Sequence, residues 1–305
     1  MITALAGGVG AAKLLLGLTK VMNPEDLTAI VNTGDDIQLH GLHISPDLDI
    51  ASYTLAGIVD EEKGWGIRGD TFHCLDGLRR LTGDEWFNLG DGDLATHIFR
   101  TNLLRCGASL TEVTEEITRA LGVKSRIFPM TDDRFETRIV TREGTIHFEE
   151  YMVKRGAKDE VLGVEFFGAD KAEPAAGVIE AIEEADQVVV CPSNPVVSIG
   201  TILAVKGVRD ALKRTKAQKI AVSPIIACAP VKGPADKLLR GLGREVSAFG
   251  VAELYADFLD TIIIDTADSI ERKRIEQLGV KVRVTNTLMK SLEDKSRLAR
   301  IVLEG

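Results

Sequence analysis

Ala6-Gly7-Gly8-Val9-Gly10-Ala11-Ala12-Lys13 follows a short apolar run, Met1-Ile2-Thr3-Ala4-Leu5, and precedes a helical pattern, Leu14-Leu15-Leu16-Gly17-Leu18. A strand, a glycine turn and a helix in that order set bare backbone N–H groups at a helix N-terminus. The unpaired amides and the helix dipole favour an anion there. Gly8 and Gly10 can take positive φ and admit a ligand close to the backbone. The spacing approaches G-x-G-x-x-G, but Lys13 stands at the third glycine position, so the dinucleotide motif is incomplete. A tight turn with no ligand is the alternative, since such turns recur in α/β folds.

Working outward, Leu27 to Asn32 reads as a second buried strand, apolar without alternation. It ends in Thr33-Gly34-Asp35-Asp36, a turn with two adjacent carboxylates. Ligands of open α/β sheets bind beyond the carboxyl ends of the strands, so the glycine turn and the acidic turn should share one edge. Further strands are expected at Gln187–Cys191, Lys219–Val222, Thr261–Ile264 and Val280–Val284, with helices at Ala175–Ala185 and Leu288–Leu303. Short strands joined by helices predict an α/β fold with one mostly parallel sheet flanked by helices.

Residues 37–72 form a long connection rich in turn residues, within which Leu48–Ile58 is expected as a helix capped by Ser45 or Asp47. Two amphipathic helices, Leu94–Leu104 and Leu110–Leu121 behind Ser109, precede three strands at Ser125–Phe128, Glu136–Thr141 and Thr145–Tyr151. The last two read as a hairpin. This section predicts an inserted smaller α+β subdomain over 85–170, leaving a core of 1–84 and 171–305.

The chain has 305 residues, 45% of them hydrophobic and 27% charged, which is ordinary globular usage. A net charge of -9 and a pI of about 5.2 argue against a nucleic-acid or anionic-membrane partner. An anionic ligand therefore needs a local cradle of amides, lysines or metal. No apolar run reaches the length of a membrane span, and the N-terminus lacks a signal-peptide pattern. The four cysteines, at 74, 106, 191 and 228, form no C-x-x-C pair. Free thiols in a cytoplasmic protein are the expectation.

Cys191-Pro192-Ser193-Asn194-Pro195-Val196-Val197-Ser198-Ile199-Gly200 is the second informative turn. It should also leave the carboxyl edge of the sheet, stiffened by two prolines, with Ser198 capping the next helix. A rigid loop with purely structural polar groups is the alternative. Ser223-Pro224-Ile225-Ile226 follows the next strand in the same way.

These stretches appear in order with Ser45-Pro46-Asp47-Leu48-Asp49, Gly64-Trp65-Gly66, Leu89-Gly90-Asp91-Gly92-Asp93-Leu94-Ala95-Thr96-His97 and Pro129-Met130-Thr131-Asp132-Asp133. Together they resemble the 2-phospho-L-lactate transferases of coenzyme F-420 biosynthesis over nearly the whole chain. The resemblance implies a Rossmann-like core, Mg²⁺ as cofactor and a homodimer. It also implies a reaction, in which a guanosine diphosphate ester of lactate, or of a related three-carbon acid, gives its phospho-acyl group to the deazaflavin alcohol Fo. The ribityl hydroxyl attacks and GMP leaves.

By the same resemblance Asp49 meets the ribityl alcohol, where it orients the hydroxyl, accepts its proton or helps hold Mg²⁺. Asp35 and Asp36 are the other metal candidates, and Asp35 a second catalytic one, since Mg²⁺ prefers a carboxylate or two plus phosphate oxygens. An adjacent Asp pair in a turn is otherwise a solvated loop or a helix cap. Gly7, Gly8, Gly10, Asn32, Ser193, Asn194 and Ser198 are assigned to the guanosine diphosphate or the neighbouring deazaflavin. Lys13 matches a basic family position, Trp65 is placed against the deazaflavin, and His97 is expected as a structural histidine. Gly92 stands where the family usually has arginine, and Asn88, an acceptor-site candidate, where some members carry lysine. The acid on the donor is left open.

Two rivals follow from the same residues. An oxidoreductase using NAD(P) predicts a glycine at position 13 and an acid at the end of the second strand, where Lys13 and Asn32 stand. A non-catalytic regulator that binds a nucleotide sugar shares the glycine and Pro-Ser-Asn turns but not the acidic and aromatic motifs of residues 45–66.

Overall fold

The structure, a computed structural model, describes residues 1–83 and 85–304. Residues 84 and 305, which end the two expected core segments, lie outside the described residues. Seven strands form one sheet: β1 (Ile2–Ala6), β2 (Leu27–Val31), β3 (Arg126–Pro129), β4 (Gln187–Val190), β5 (Gln218–Val222), β6 (Thr261–Asp265) and β7 (Lys281–Thr285). Their spatial order is β7-β6-β5-β4-β1-β2-β3, and each neighbouring pair is parallel. This is a Rossmann-like α/β sheet, whose order reverses between β1 and β4.

The strands read as unbroken apolar runs because both faces are covered. Successive side chains point to opposite faces. Leu5, Ile30, Val188, Val190, Ile262 and Ile264 join the core on one side, and Ala4, Ala29, Val31, Val189 and Ile263 the core on the other. The second side is closed by the Gly8–Thr19 and Leu292–Leu303 helices, which pack so closely that a Cβ on Gly17 would lie 2.3 Å from the Lys295 carbonyl oxygen.

The segment expected as an insertion over 85–170 is divided. Arg126–Pro129 pairs with β2 and is the third strand of the main sheet, because Ile127 supplies the apolar residue that covers the β2 edge. Before it come the Asp91–Arg105 and Leu110–Ala120 helices, the latter with Ser109 and Glu112 forming a full capping box. After it, Glu136–Thr141 pairs on both sides with Gly144–His147 and Gly163–Phe167 in a separate antiparallel sheet.

In the long connection, Ile37–Leu39 and Leu42–Ile44 form a small hairpin, followed by the Pro46–Leu55 helix. Ser45 stands at its N-cap without a side-chain cap bond, since its hydroxyl donates to Asp36 Oδ2 at 2.6 Å instead. Among the described residues, no helix is long and apolar enough to cross a membrane.

Candidate active site

The turns after β1 and β4 meet where the strand order reverses, and they wall a cavity of about 460 Å³. Gly7 N–H donates to Ser193 Oγ at 3.2 Å. A Cβ on Gly7 would lie 2.6 Å from Ser198 Cβ, and one on Gly10 would lie 2.3 Å from the Pro192 carbonyl oxygen. Of the two glycines able to take positive φ, Gly8 adopts it, at 71°, and Gly10 does not. Gly10 is needed for close backbone approach, because any side chain there would drive the two turns apart.

The first amide of the Gly8–Thr19 helix is occupied by the protein itself: Gly8 N–H donates to Asp47 Oδ1 at 2.8 Å. A carboxylate thus sits where the helix dipole favours negative charge. Asp47 comes from the first turn of the Pro46–Leu55 helix, so two helix N-termini face one another through it.

Asn32, fully buried at the end of β2, organises the acidic side. Its Nδ2 donates to Asp35 Oδ2 at 3.0 Å and to Asp47 Oδ2 at 2.9 Å. Its Oδ1 accepts from Gly34 N at 2.8 Å and from Thr201 Oγ1 at 2.7 Å. Asp35, Asp47 and Glu149 line the cavity and are buried. None of the three has a lysine or arginine ion-pair partner among the described residues.

Their titration reflects that crowding. Burial, with Asp47 and Glu149 nearby, holds Asp35 well above the usual carboxylate range. Burial pushes Asp47 up to about 6 against the hydrogen bonds from Asn32 and Gly8. Burial, with Asp47 and Asp36 close, pushes Glu149 up to about 8. Asp36 turns from the cavity to accept from His43 Nε2 at 2.8 Å and from Ser45.

Mg²⁺ fits this donor set. Oδ1 of Asp35 and Oδ1 of Asp36 are buried and accept no hydrogen bond from the described residues. Asp35 has no cation partner among the described residues, and an orphaned hard oxygen of that kind suits a divalent ion, whereas Asp36 is paired with His43.

Asp49 is placed differently. Its Oδ2 accepts from Arg100 Nη1 at 3.1 Å and its Oδ1 from Arg100 Nη2, a bidentate pair. Burial raises Asp49, while Arg100 and His97 pull it down. Burial alone would lower Arg100, but Asp49 more than offsets this, and its net shift is upward. We read the two as a salt bridge.

Arg100 Nη1 also lies 3.2 Å from His97 Nδ1, and Tyr53 Oη donates to Asp93 Oδ1 at 2.7 Å. Asp49, Asp93 and His97 each offer a ligand atom within 4.8 Å of the others, so a cation there would compete with the Arg100 guanidinium. His97 is fully enclosed within this network.

Lys13, Trp65, Asn88, Asn194 and Ser198 also line the cavity, whereas Asn32 and Asp36 lie behind its wall. Asn194 Oδ1 accepts from Val196 N at 3.0 Å, which fixes its own turn. Ser198 stands at the N-cap of the Ile199–Ala204 helix without forming the expected cap bond. Asn88 Oδ1 accepts from Arg79 Nη2 at 3.2 Å, so a cationic group does approach this position. Lys63 Nζ lies 5.7 Å from the Trp65 ring centre.

Sequence reasoning missed Asp47 as a wall residue, together with Tyr53, Asp93, Arg100, Glu149 and Lys232. One signal was present: Asp93, His97 and Arg100 recur at i, i+4 and i+7, which gathers them on one helix face. Glu149 had no such signal, because it reaches the cavity from the separate antiparallel sheet region.

The family described as 2-phospho-L-lactate transferase CofD matches residues 2–297. The 2-phospho-L-lactate transferase of Methanosarcina acetivorans is 44% identical over 98% of this chain and 97% of the relative. That of Methanothermobacter thermautotrophicus is 45% identical over 99% and 97%. The phosphoenolpyruvate transferase of Streptomyces coelicolor is also 45% identical, over 99% and 97%. Protein BH3568 from Bacillus halodurans, a solved structure, superposes with a TM-score of 0.65 over 99% of this chain and 98% of that one. At 17% identity it shares the fold.

Proposed function

The chain belongs to the 2-phospho-L-lactate transferase family, and from that membership we propose that it completes the phosphodiester of coenzyme F-420. The donor is a guanosine diphosphate ester of a three-carbon acid, and the acceptor is the deazaflavin alcohol Fo. The ribityl hydroxyl oxygen forms a bond to the phosphorus that carries the acid. The bond from that phosphorus to the GMP oxygen breaks, and the hydroxyl proton passes to a carboxylate.

The observation that carries this reading is the convergence of Gly7–Gly10, Asp35, Asp49 and Ser193–Ser198 on a single cavity. Phosphoryl-type transfer asks a protein for positioning and charge neutralisation rather than covalent chemistry. Asp49, held by Arg100, is set to accept the hydrogen bond of the attacking hydroxyl. Asp35 would hold Mg²⁺ at the cavity wall with Asp36 behind it, and the ion would neutralise charge on the transferred phosphoryl oxygens. The apolar part of the cavity, from Ile50, Trp65, Phe87 and Met152, suits the deazaflavin ring.

The donor acid is either phospholactate or the phosphoenolpyruvate-derived group, since relatives of both names are equally similar. The protein is incubated with Mg²⁺, Fo and each guanylated three-carbon acid, and GMP is followed by mass spectrometry. GMP from one donor supports the reading and names the acid, whereas no GMP from any donor overturns it. We further read the protein as a cytoplasmic homodimer, the state that light scattering would report as twice the mass of one chain.

A further inference from the structure

Lys13, Lys232 and Lys295 crowd one side of the glycine turn. Lys295 is buried and paired with Glu61 at 3.1 Å. Lys13 and Lys232 both line the cavity, and neither makes an ion pair with a carboxylate among the described residues. Burial and the fields of Lys295 and Lys232 lower Lys13 from its ordinary value, the response of an ammonium held against like charges. Among the described residues, Lys232 Nζ is held only by the Lys63 carbonyl oxygen at 3.3 Å, and a Cβ on Gly64 would lie 3.1 Å from it. Lys232 therefore reaches from the Val231–Pro234 turn across to the loop that carries Trp65.

The same cavity carries Asp35, Asp47 and Glu149, and Asp47 already holds the Gly8 amide. A diphosphate entering the cavity meets carboxylates as well as unpaired ammonium groups. Electrostatics gives it one favourable orientation.

We propose that Lys13 and Lys232 form a two-ammonium clamp for the diphosphate of the guanosine donor, a proposal that rests on the transferase reading above. Lys232 is the half that the glycine motif does not reveal, because it is supplied about 220 residues later in the chain.

The test is calorimetric titration of the full-length protein with GDP and, separately, GMP in the presence of Mg²⁺. The readout is the ratio of the two affinities, which a misfolded fraction does not change. Wild type should prefer GDP. Lys13→Met and Lys232→Met should each cut that preference roughly tenfold, the worth of one charge-assisted contact. Lys232→Arg, which keeps the charge, should retain most of it. An undiminished preference for GDP in both methionine variants overturns the clamp and leaves the transferase reading standing. Wild type that binds neither nucleotide overturns the clamp and the guanosine donor together.

Discussion

Asp47 Oδ1 lies 2.8 Å from the Gly8 amide, so the helix start that sequence motifs assign to phosphate is held by the chain's own carboxylate. Phosphate oxygens cannot share that position with a bare carboxylate without a cation between them. Asp47→Ala should therefore tighten GDP when divalent ions are chelated and should reduce the gain that Mg²⁺ gives wild type. Titration with and without EDTA checks this, and an unchanged Mg²⁺ dependence would count against it.

The buried carboxylates make stability depend on pH in an unusual direction. Glu149 is raised from an ordinary 4.5 to about 8, and Asp47 from 3.8 to about 6. Between the unfolded and folded values the native state binds more protons, so stability falls as pH rises. The loss should begin near pH 4 and be complete only above about pH 8. Mg²⁺ should reverse much of it, and most strongly at the alkaline end. Melting curves from pH 5 to 9 with and without Mg²⁺ test the sign, and a transition that rises with pH in EDTA contradicts it.

Asn32 stands between two carboxylates that would otherwise face one another. Asn32→Ala leaves its four buried partners short of a bond, and the cost should be about 2–4 kcal/mol. Asn32→Asp adds a third charge and should be worse, with folding restored only at low pH. Urea denaturation of the two variants gives the order, and equal stability of Asn32→Asp and wild type at pH 8 would exclude the like-charge argument.

The Arg100–Asp49 pair separates a structural effect from a catalytic one. Arg100→Leu strands a buried carboxylate and should cost about 3–5 kcal/mol. Combining it with Asp49→Leu should restore much of that stability, whereas GMP release should stay at least about 100-fold below wild type. A double variant that is stable and active would remove Asp49 from the chemistry.

The sheet was largely legible because apolar runs such as Leu27–Val31 and Thr261–Asp265, flanked by helical patterns, leave little choice but a buried parallel strand. The strand expected at Ser125–Phe128 within an insertion stands at Arg126–Pro129 in the main sheet, since four residues do not announce which edge they will cover. The glycine, acidic and Pro-Ser-Asn turns were legible as one site because each follows a strand of the same sheet. Asp47 and Glu149 were not, because their roles arise from spatial neighbours: Asp47 looked like a helix cap, and Glu149 belongs to a segment with no motif. Arg100 was hidden by its position in an ordinary amphipathic helix, where an arginine is expected to face water.

The contact between Gly10 and the Pro192 carbonyl joins two turns that are about 180 residues apart in the chain. There is no side chain between them to be shortened, lengthened or repacked. The two walls of the cavity therefore shift together, and the gap between whatever each wall holds is insulated from changes elsewhere in the protein. On the transferase reading, a lineage could exchange the acid on its donor by altering residues at the rim, while the spacing of the two walls stays the same.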